Sequence, residues 1–275
     1  MLEIIKAILF GIVEGITEWL PISSTGHMIL LQEIMPLNVS EEFYNMFEVV
    51  IQLGAIMAVV VLFFKQIWPF QCKDKSKPII VKDTFLMWFK IIVACLPAAV
   101  VGLLFDDLIN QYLYNYVTVS LALIIFGVAF LVIENYNKKR TPVITELSQL
   151  TYRAALIIGF FQLIAAIFPG TSRSGATILG ALLIGVSRKV AAEFTFFLAI
   201  PVMFGASVLK LVKFGFHFTK AETAILLVGM FVAFAVSMFV LKFLMGYIKK
   251  HDFKVFGWYR IVLGAVVLLY FWVLV

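Results

Sequence analysis

Two stretches decide how this chain folds. They are Gly11-Ile-Val-Glu14-Gly-Ile-Thr-Glu18-Trp-Leu-Pro21-Ile-Ser23-Ser24-Thr25-Gly26-His27, and Gly159-Phe-Phe-Gln162 running on to Pro169-Gly-Thr171-Ser172-Arg173-Ser174-Gly175-Ala176-Thr177. Each lies in an apolar region, roughly Leu2 to Gln32 and Tyr152 to Val186, that is broken by Pro and a run of Ser, Thr and Gly. Pro lacks an N–H and turns the preceding residue away from helical geometry, so each helix ends there. The Gly-to-Pro spacing is the same in both, and Gln162 takes the place of Glu14. One additional residue in the second loop brings Gly175 opposite Gly26, and a helix opening on an acidic residue is expected after each unit, at Phe47-Glu48 and Ala192-Glu193. The pattern predicts a duplicated unit.

The surroundings of both stretches are apolar. Of 275 residues, 63% are hydrophobic and 14% charged, whereas a soluble domain carries about 25% charged residues. Mean hydropathy is +1.05. So much apolar surface calls for lipid as a solvent. Stretches near Phe47–Phe64, Phe85–Phe105, Val117–Ile133, Val190–Val212, Ala221–Leu244 and Trp258–Val275 approach the roughly 20 helical residues that a bilayer core requires. The expected fold is an all-α integral membrane protein with six transmembrane helices plus two re-entrant helix pairs, forming a single membrane domain over residues 1–275. Each broken segment is followed by three spans, and an odd number turns the second copy over, giving an inverted-topology repeat with halves of approximately 1–133 and 150–275.

Charge placement orients it. Lys65, Lys73, Lys75, Lys77 and Lys82 mark one loop, and Lys138, Lys139, Arg140 and Arg153 a second. Arg188 with Lys189, and Lys249, Lys250 and Lys254, mark two more. All four share a side if each broken segment returns to the side it entered. Glu41, Glu42, Asp106 and Asp107 fall opposite, with Lys213 and Lys220. Basic loops stay in the cytoplasm, so both termini are expected outside, with the first pair entering from outside and the second from the cytoplasm. The pI of about 9.2 therefore reflects membrane orientation, and nucleic acid is not expected as a partner. Cys72 and Cys95 form neither a disulfide framework nor a metal-ligand spacing, and the acidic N-terminal stretch reads against a cleaved signal peptide.

Irregular backbone at membrane depth survives where protein or a wet cavity satisfies it, so two loops entering from opposite faces are expected to meet. Glu14 and Glu18 stack on one helix face. An intramembrane carboxylate costs ~2.5–3.5 kcal/mol on insertion scales, so the pair needs a metal ion, a cation or a shared proton. Ser23, Ser24 and Thr25, the backbone near Gly26 and a helix start at His27 make an oxyanion cradle, and Ser beside His also suits an activated nucleophile. In the second loop Arg173 stands among the hydroxyls of Thr171, Ser172, Ser174 and Thr177. A guanidinium grips phosphate oxygens in a bidentate fork, so phosphate binding is the favoured reading.

On Glu14-x-x-x-Glu18 with Pro21 to His27, and on Pro169 to Thr177, the chain resembles the undecaprenyl-diphosphate phosphatase (bacitracin resistance) family. The resemblance extends over essentially the whole chain, including Phe47 to Gly54 and Pro97 to Asp106, although Thr171 stands where a bulky residue such as Phe is common. It implies hydrolysis of undecaprenyl diphosphate to undecaprenyl phosphate and inorganic phosphate, which recycles the carrier for peptidoglycan synthesis in the cell membrane. It also implies a polyprenyl diphosphate lipid as substrate, membrane lipids as surroundings, a site open to the extracytoplasmic side, and support by a divalent cation (Mg, Ca or Mn). By motif the functional residues fall on Glu14, Glu18, Ser24, His27 and Arg173, with Ser23, Thr25, Ser172, Ser174 and Thr177 nearby. Glu14 and Glu18 are the candidate metal ligands. Two mechanisms stay open: attack by Ser24, with His27 or a Glu taking its proton, or direct attack by water. A homodimer is compatible with this reading. A transporter or flippase would use the same groups to bind an anionic headgroup. The acid-phosphatase-like lipid phosphatases are disfavoured, because no Arg-Pro dipeptide occurs.

Overall fold

The computed structural model describes residues 1–71 and 79–274. Cys72, Lys73, Lys75 and Lys77 lie outside the described residues, as do the side chains of Asp106 and Asp107. The described chain is helical. Its helices are α1 (Leu2–Thr17), α2 (Ser24–Ile34), α3 (Glu41–Val50), α4 (Gln52–Leu62), α5 (Phe64–Ile67), α6 (Lys82–Leu113) and α7 (Tyr116–Asn137), then α8 (Tyr152–Ile167), α9 (Arg173–Leu183), α10 (Arg188–Phe214), α11 (Lys220–Tyr247) and α12 (Lys254–Leu274). A short 3-10 turn at Leu147–Gln149 precedes α8.

Among the described residues, six stretches are long and apolar enough to cross a bilayer: Glu41–Leu62, Lys82–Phe105, Tyr116–Asn137, Arg188–Phe214, Lys220–Tyr247 and Lys254–Trp272. The protein is thus an all-helical, multi-pass membrane protein. Each stretch overlaps an expected span, but the ends differ. The first begins at Glu41 rather than Phe47, because Ser40 caps it through the Phe43 amide and two carboxylates sit in the first turn. It is also broken at Ile51, between α3 and α4. Ser187 likewise caps α10 through the Val190 amide. Glu48 and Glu193 therefore lie inside their helices instead of opening them, which corrects the expectation from sequence.

Contacts at the helix ends fix the arrangement. The Asn38 amide donates to Glu3 Oε2 at 2.9 Å, and Lys6 donates to the Pro36 carbonyl. The start of α1 therefore lies beside the segment that leaves α2. Before α8, the Val143 amide donates to the Gly185 carbonyl at 2.8 Å, and the Ser187 amide to that of Ile144 at 2.8 Å. The segment entering α8 thus lies beside the one leaving α9. Glu134, buried at the end of α7, receives the guanidinium of Arg188 and the Phe253 amide. That one carboxylate gathers the end of α7 and the starts of α10 and α12.

Between these ends, α1 packs on α11 and α8 on α6. The backbones approach closely at glycines in both pairs, Gly11 and Gly15 on α1 and Gly159 on α8. A Cβ on Gly11 would come within 2.7 Å of the Gly229 carbonyl oxygen, and one on Gly159 within 2.9 Å of Ala94 Cα. Close approach through small residues is the usual way helices associate in lipid, where apolar burial gives little net drive.

Candidate active site

Both interruptions are built from one local device. After Pro21, Ser23 adopts φ 74°, ψ 102° and caps α2, its hydroxyl accepting from the Gly26 amide. After Pro169, Ser172 adopts φ 68°, ψ 116° and caps α9, accepting from the Gly175 amide at 3.1 Å. These are the only non-glycine residues with positive φ among the described residues. Such a conformation costs on the order of 1–3 kcal/mol, and the capping bond, worth about 0.5–2 kcal/mol, offsets part of it. Helix α2 begins at Ser24, three residues earlier than the start expected at His27. The second loop's additional residue brings in Gly170, at φ +89°, where a Cβ would meet the Val119 carbonyl oxygen at 2.5 Å. Only glycine lets that turn lie against α7.

The two turns meet around Glu18. Ser174 Oγ donates to the Glu18 carbonyl at 3.0 Å. Arg173 Nη2 donates to Glu18 Oε1 at 2.7 Å, and Ser24 Oγ donates to Glu18 Oε2 at 2.8 Å. Ser24 and Arg173 each follow a capping serine, so they occupy matching places in the two turns. Both hold one carboxylate, from opposite sides. Arg173 is further oriented by Nη1 donating to the Thr195 carbonyl at 3.0 Å and by the Met203 sulfur near Nη2, while Trp19 lies beside its guanidinium. Thr177 Oγ1 donates to the Arg173 carbonyl at 2.9 Å and meets Thr195 Oγ1 at 2.9 Å. It braces the first turn of α9 and does not face the junction with a free hydroxyl. Ser172 and Ser174 hydroxyls lie 3.2 Å apart. Thr171 is fully buried, with no partner for its hydroxyl among the described residues. Thr25 and Gly26 complete the first turn of α2.

Glu14 differs from Glu18. It is 1% exposed, and neither carboxylate oxygen has a hydrogen-bond partner among the described residues. An orphaned, buried carboxylate of this kind needs a proton or a cation. No group of three or more His, Cys, Asp or Glu side chains converges among the described residues. An all-oxygen pair of carboxylates suits a hard divalent cation, which keeps several waters and takes its remaining ligands from substrate phosphates. Gln162, at the place of Glu14 in the second stretch, is equally buried. Its amide reaches the Ala94 carbonyl at 3.5 Å, and its own oxygen is left unpaired.

Both ring nitrogens of His27 are engaged by partners other than Ser24. Its Nδ1 lies 2.7 Å from the Ser23 carbonyl and its Nε2 lies 2.7 Å from the Tyr259 hydroxyl. A carbonyl only accepts, so Nδ1 carries the proton, and in the neutral ring Nε2 accepts from Tyr259. The Tyr259 ring stacks on the imidazole at 5.6 Å with an interplanar angle of 4°. The nearest proton acceptor to the Ser24 hydroxyl is therefore Glu18.

Two site residues were not found by reading the sequence, and they are neighbours on α12. Tyr259 carried no local signal. Arg260 did carry one, an arginine within an apolar span, which by its cost alone marks a functional or structural polar site. It is fully buried and donates to the carbonyls of Pro21, Gly170 and Thr171.

Comparison with known proteins gives a consistent pattern. The family model described as Bacitracin resistance protein BacA matches residues 7–266. A protein of Desulfitobacterium hafniense named undecaprenyl-diphosphatase is 67% identical over 271 residues, covering 98% of this chain and 97% of that protein. Proteins of the same name from Enterococcus faecalis and Acetivibrio thermocellus are 65% and 63% identical, each over 98% of this chain.

Proposed function

The chain belongs to the bacitracin resistance protein BacA family, and from this premise we propose that it hydrolyses undecaprenyl diphosphate to undecaprenyl phosphate and inorganic phosphate. The observation that carries the chemistry is the convergence of Ser24 and Arg173 on the two oxygens of Glu18. Phosphoryl transfer asks an enzyme mainly to position the reactants and to neutralise charge on the equatorial oxygens. Arg173 supplies the fork for those oxygens, exchanging Glu18 for the terminal phosphate. The amides and hydroxyls of the two strained turns surround the same junction. Ser24 Oγ attacks the terminal phosphorus as its proton passes to Glu18. The bond to the bridging oxygen breaks, and undecaprenyl phosphate leaves. Glu18 gives its proton up to solvent; it then takes one from the water that attacks the phosphoserine and returns it to Ser24 Oγ as the P–O bond to serine breaks and phosphate leaves.

Glu14, with Glu18, would hold a divalent cation such as Mg, and the orphaned oxygens of Glu14 support that fit. When bound, such an ion neutralises phosphate charge. His27, locked between the Ser23 carbonyl and Tyr259, fixes the first turn of α2 rather than taking the proton of Ser24.

The arrangement in the bilayer is part of the proposal. The halves 1–133 and 150–275 form an inverted repeat, and each interrupted segment is a re-entrant pair. The adjacency of Glu3 to Asn38 and of Val143 to Gly185 supports a return of each pair to its own side. The gathering of Arg188, Phe253 and the end of α7 around Glu134 supports a common side for the basic loops, which we assign to the cytoplasm. The site then opens to the extracytoplasmic side.

Phosphate release from undecaprenyl diphosphate by purified protein in detergent, with and without a chelator, tests this reading. Turnover that is abolished by the chelator and restored by Mg is expected. Absence of phosphate release in the presence of Mg would refute it, because a transporter in detergent makes no product.

A further inference from the structure

Arg260 has an environment unlike that of Arg173, the other cation at the junction. It is fully buried; its hydrogen-bond partners are backbone oxygens, and its guanidinium carbon lies 5.8 Å from the centre of the Phe126 ring. Nη1 donates to the Pro21 carbonyl at 3.3 Å, and Nη2 to the carbonyls of Gly170 at 3.1 Å and Thr171 at 2.6 Å. Nε points at the Leu123 carbonyl at 3.5 Å. One side chain on α12 thus holds the turn of the first interrupted segment, the turn of the second, and α7. A Cβ on Gly175 would lie 2.9 Å from Nη1, so the guanidinium lies directly beneath the turn that presents Arg173.

Carbonyl dipoles solvate a buried guanidinium but leave its charge in place, and a buried charge without a counter-ion is normally avoided. The contrast with Arg173 matters here, because the charge of Arg173 is taken up by Glu18 at 2.7 Å. Arg260 is left as positive charge behind the turns, with no carboxylate bonded to it among the described residues. A diphosphate seated at the junction would supply the missing negative charge.

We propose that Arg260 is a positioning residue for diphosphate hydrolysis, an inference that rests on the reaction proposed above. Its planar fork sets the separation of the two turns, and hence of Ser24 from Arg173. Its charge favours the bound diphosphate through space. The two roles separate chemically, because lysine keeps the charge and loses the fork. Spacing acts on kcat, while the through-space charge acts on KM.

The test compares wild type, Arg260→Met and Arg260→Lys as purified proteins releasing phosphate from undecaprenyl diphosphate, with folding followed by thermal unfolding. Removing a preorganised electrostatic group usually lowers rates by roughly 100-fold or more, and a loss of that order in kcat/KM is expected for Arg260→Met. Arg260→Lys should bring KM back to within about threefold of wild type while kcat stays about tenfold low. A folded Arg260→Met enzyme with wild-type kcat and KM would overturn the proposal. So would an Arg260→Lys enzyme whose KM matches that of Arg260→Met, since a merely structural role would not respond to charge. Should Arg260→Met fail to fold, Gly175→Ala displaces the guanidinium without removing it; a fall in kcat at constant KM is then expected, and an unchanged kcat would refute the spacing role. If wild type itself releases no phosphate, the parent reading fails. If wild type is active and the Arg260 variants match it, this inference alone fails.

Discussion

At the turn after Pro21, the residue behind the capping serine is Ser24; at the turn after Pro169, it is Arg173. Both capping serines take nearly the same positive φ, and both accept from the amide of a glycine three residues on. The helices that lead in are also matched, each set against a long span at a glycine. Yet the first helix carries Glu14 and Glu18 where the second carries Gln162 and Ala166. One backbone therefore presents an acceptor with a hydroxyl from one side and a cation from the other. Two identical loops would have set like charges against each other. The divergence of their side chains lets Arg173 and Glu18 pair at rest, and in the proposed mechanism an incoming phosphate separates them.

This comparison can be broken most sharply at its two unlike residues. Ser24→Ala and Arg173→Ala should each lower turnover by roughly 10³-fold or more in a phosphate-release assay. The protein should still insert and unfold cooperatively. Trapping a phosphoserine at Ser24 would establish the covalent step, whereas full turnover by Ser24→Ala would leave direct attack by water as the mechanism. At the next level, Glu14→Gln makes the first helix resemble the second. A fall of about 10–100-fold in activity or cation affinity is expected, read as a rightward shift of the Mg dependence. Its counterpart Gln162→Ala should leave kcat within about threefold and change thermal stability only, by about 1 kcal/mol for the lost buried amide bond.

The shared device is tested by the capping serines. Replacing Ser23 or Ser172 by alanine removes the cap and keeps the strain, so each should destabilise by about 0.5–2 kcal/mol. Glycine at either position relieves the strain and should cost less, and thermal unfolding of the paired variants would show that ordering at both turns. A small effect is also expected at Tyr259→Phe, which removes the hydroxyl bonded to His27 and keeps the stacked ring. A loss of a few-fold in kcat follows from one peripheral hydrogen bond of about 0.5–1.5 kcal/mol.

Much of this was legible in the chain. Apolar run lengths specify the spans, because a bilayer imposes a fixed length on any helix that crosses it. Paired Pro and Gly positions specify the interruptions, because proline removes a backbone donor wherever it stands. An arginine and two glutamates inside apolar segments declare a polar site through their cost in lipid alone. These signals are local, and they sufficed to single out Glu14, Glu18 and Arg173, whereas Ser24 was distinguished from its neighbouring hydroxyls only by the family resemblance. Tertiary structure decided the pairings, which depend on separations along the chain of more than a hundred residues. It alone gave Glu18 rather than Glu14 to Arg173, left the oxygens of Glu14 unpaired, and turned His27 toward Tyr259 instead of Ser24. It also placed Arg260, from the last helix, beneath both turns. A hydrogen bond is directional and only a few ångströms long, so residue type and spacing can announce that a buried charge needs a partner, and only the packed helices determine which partner it meets.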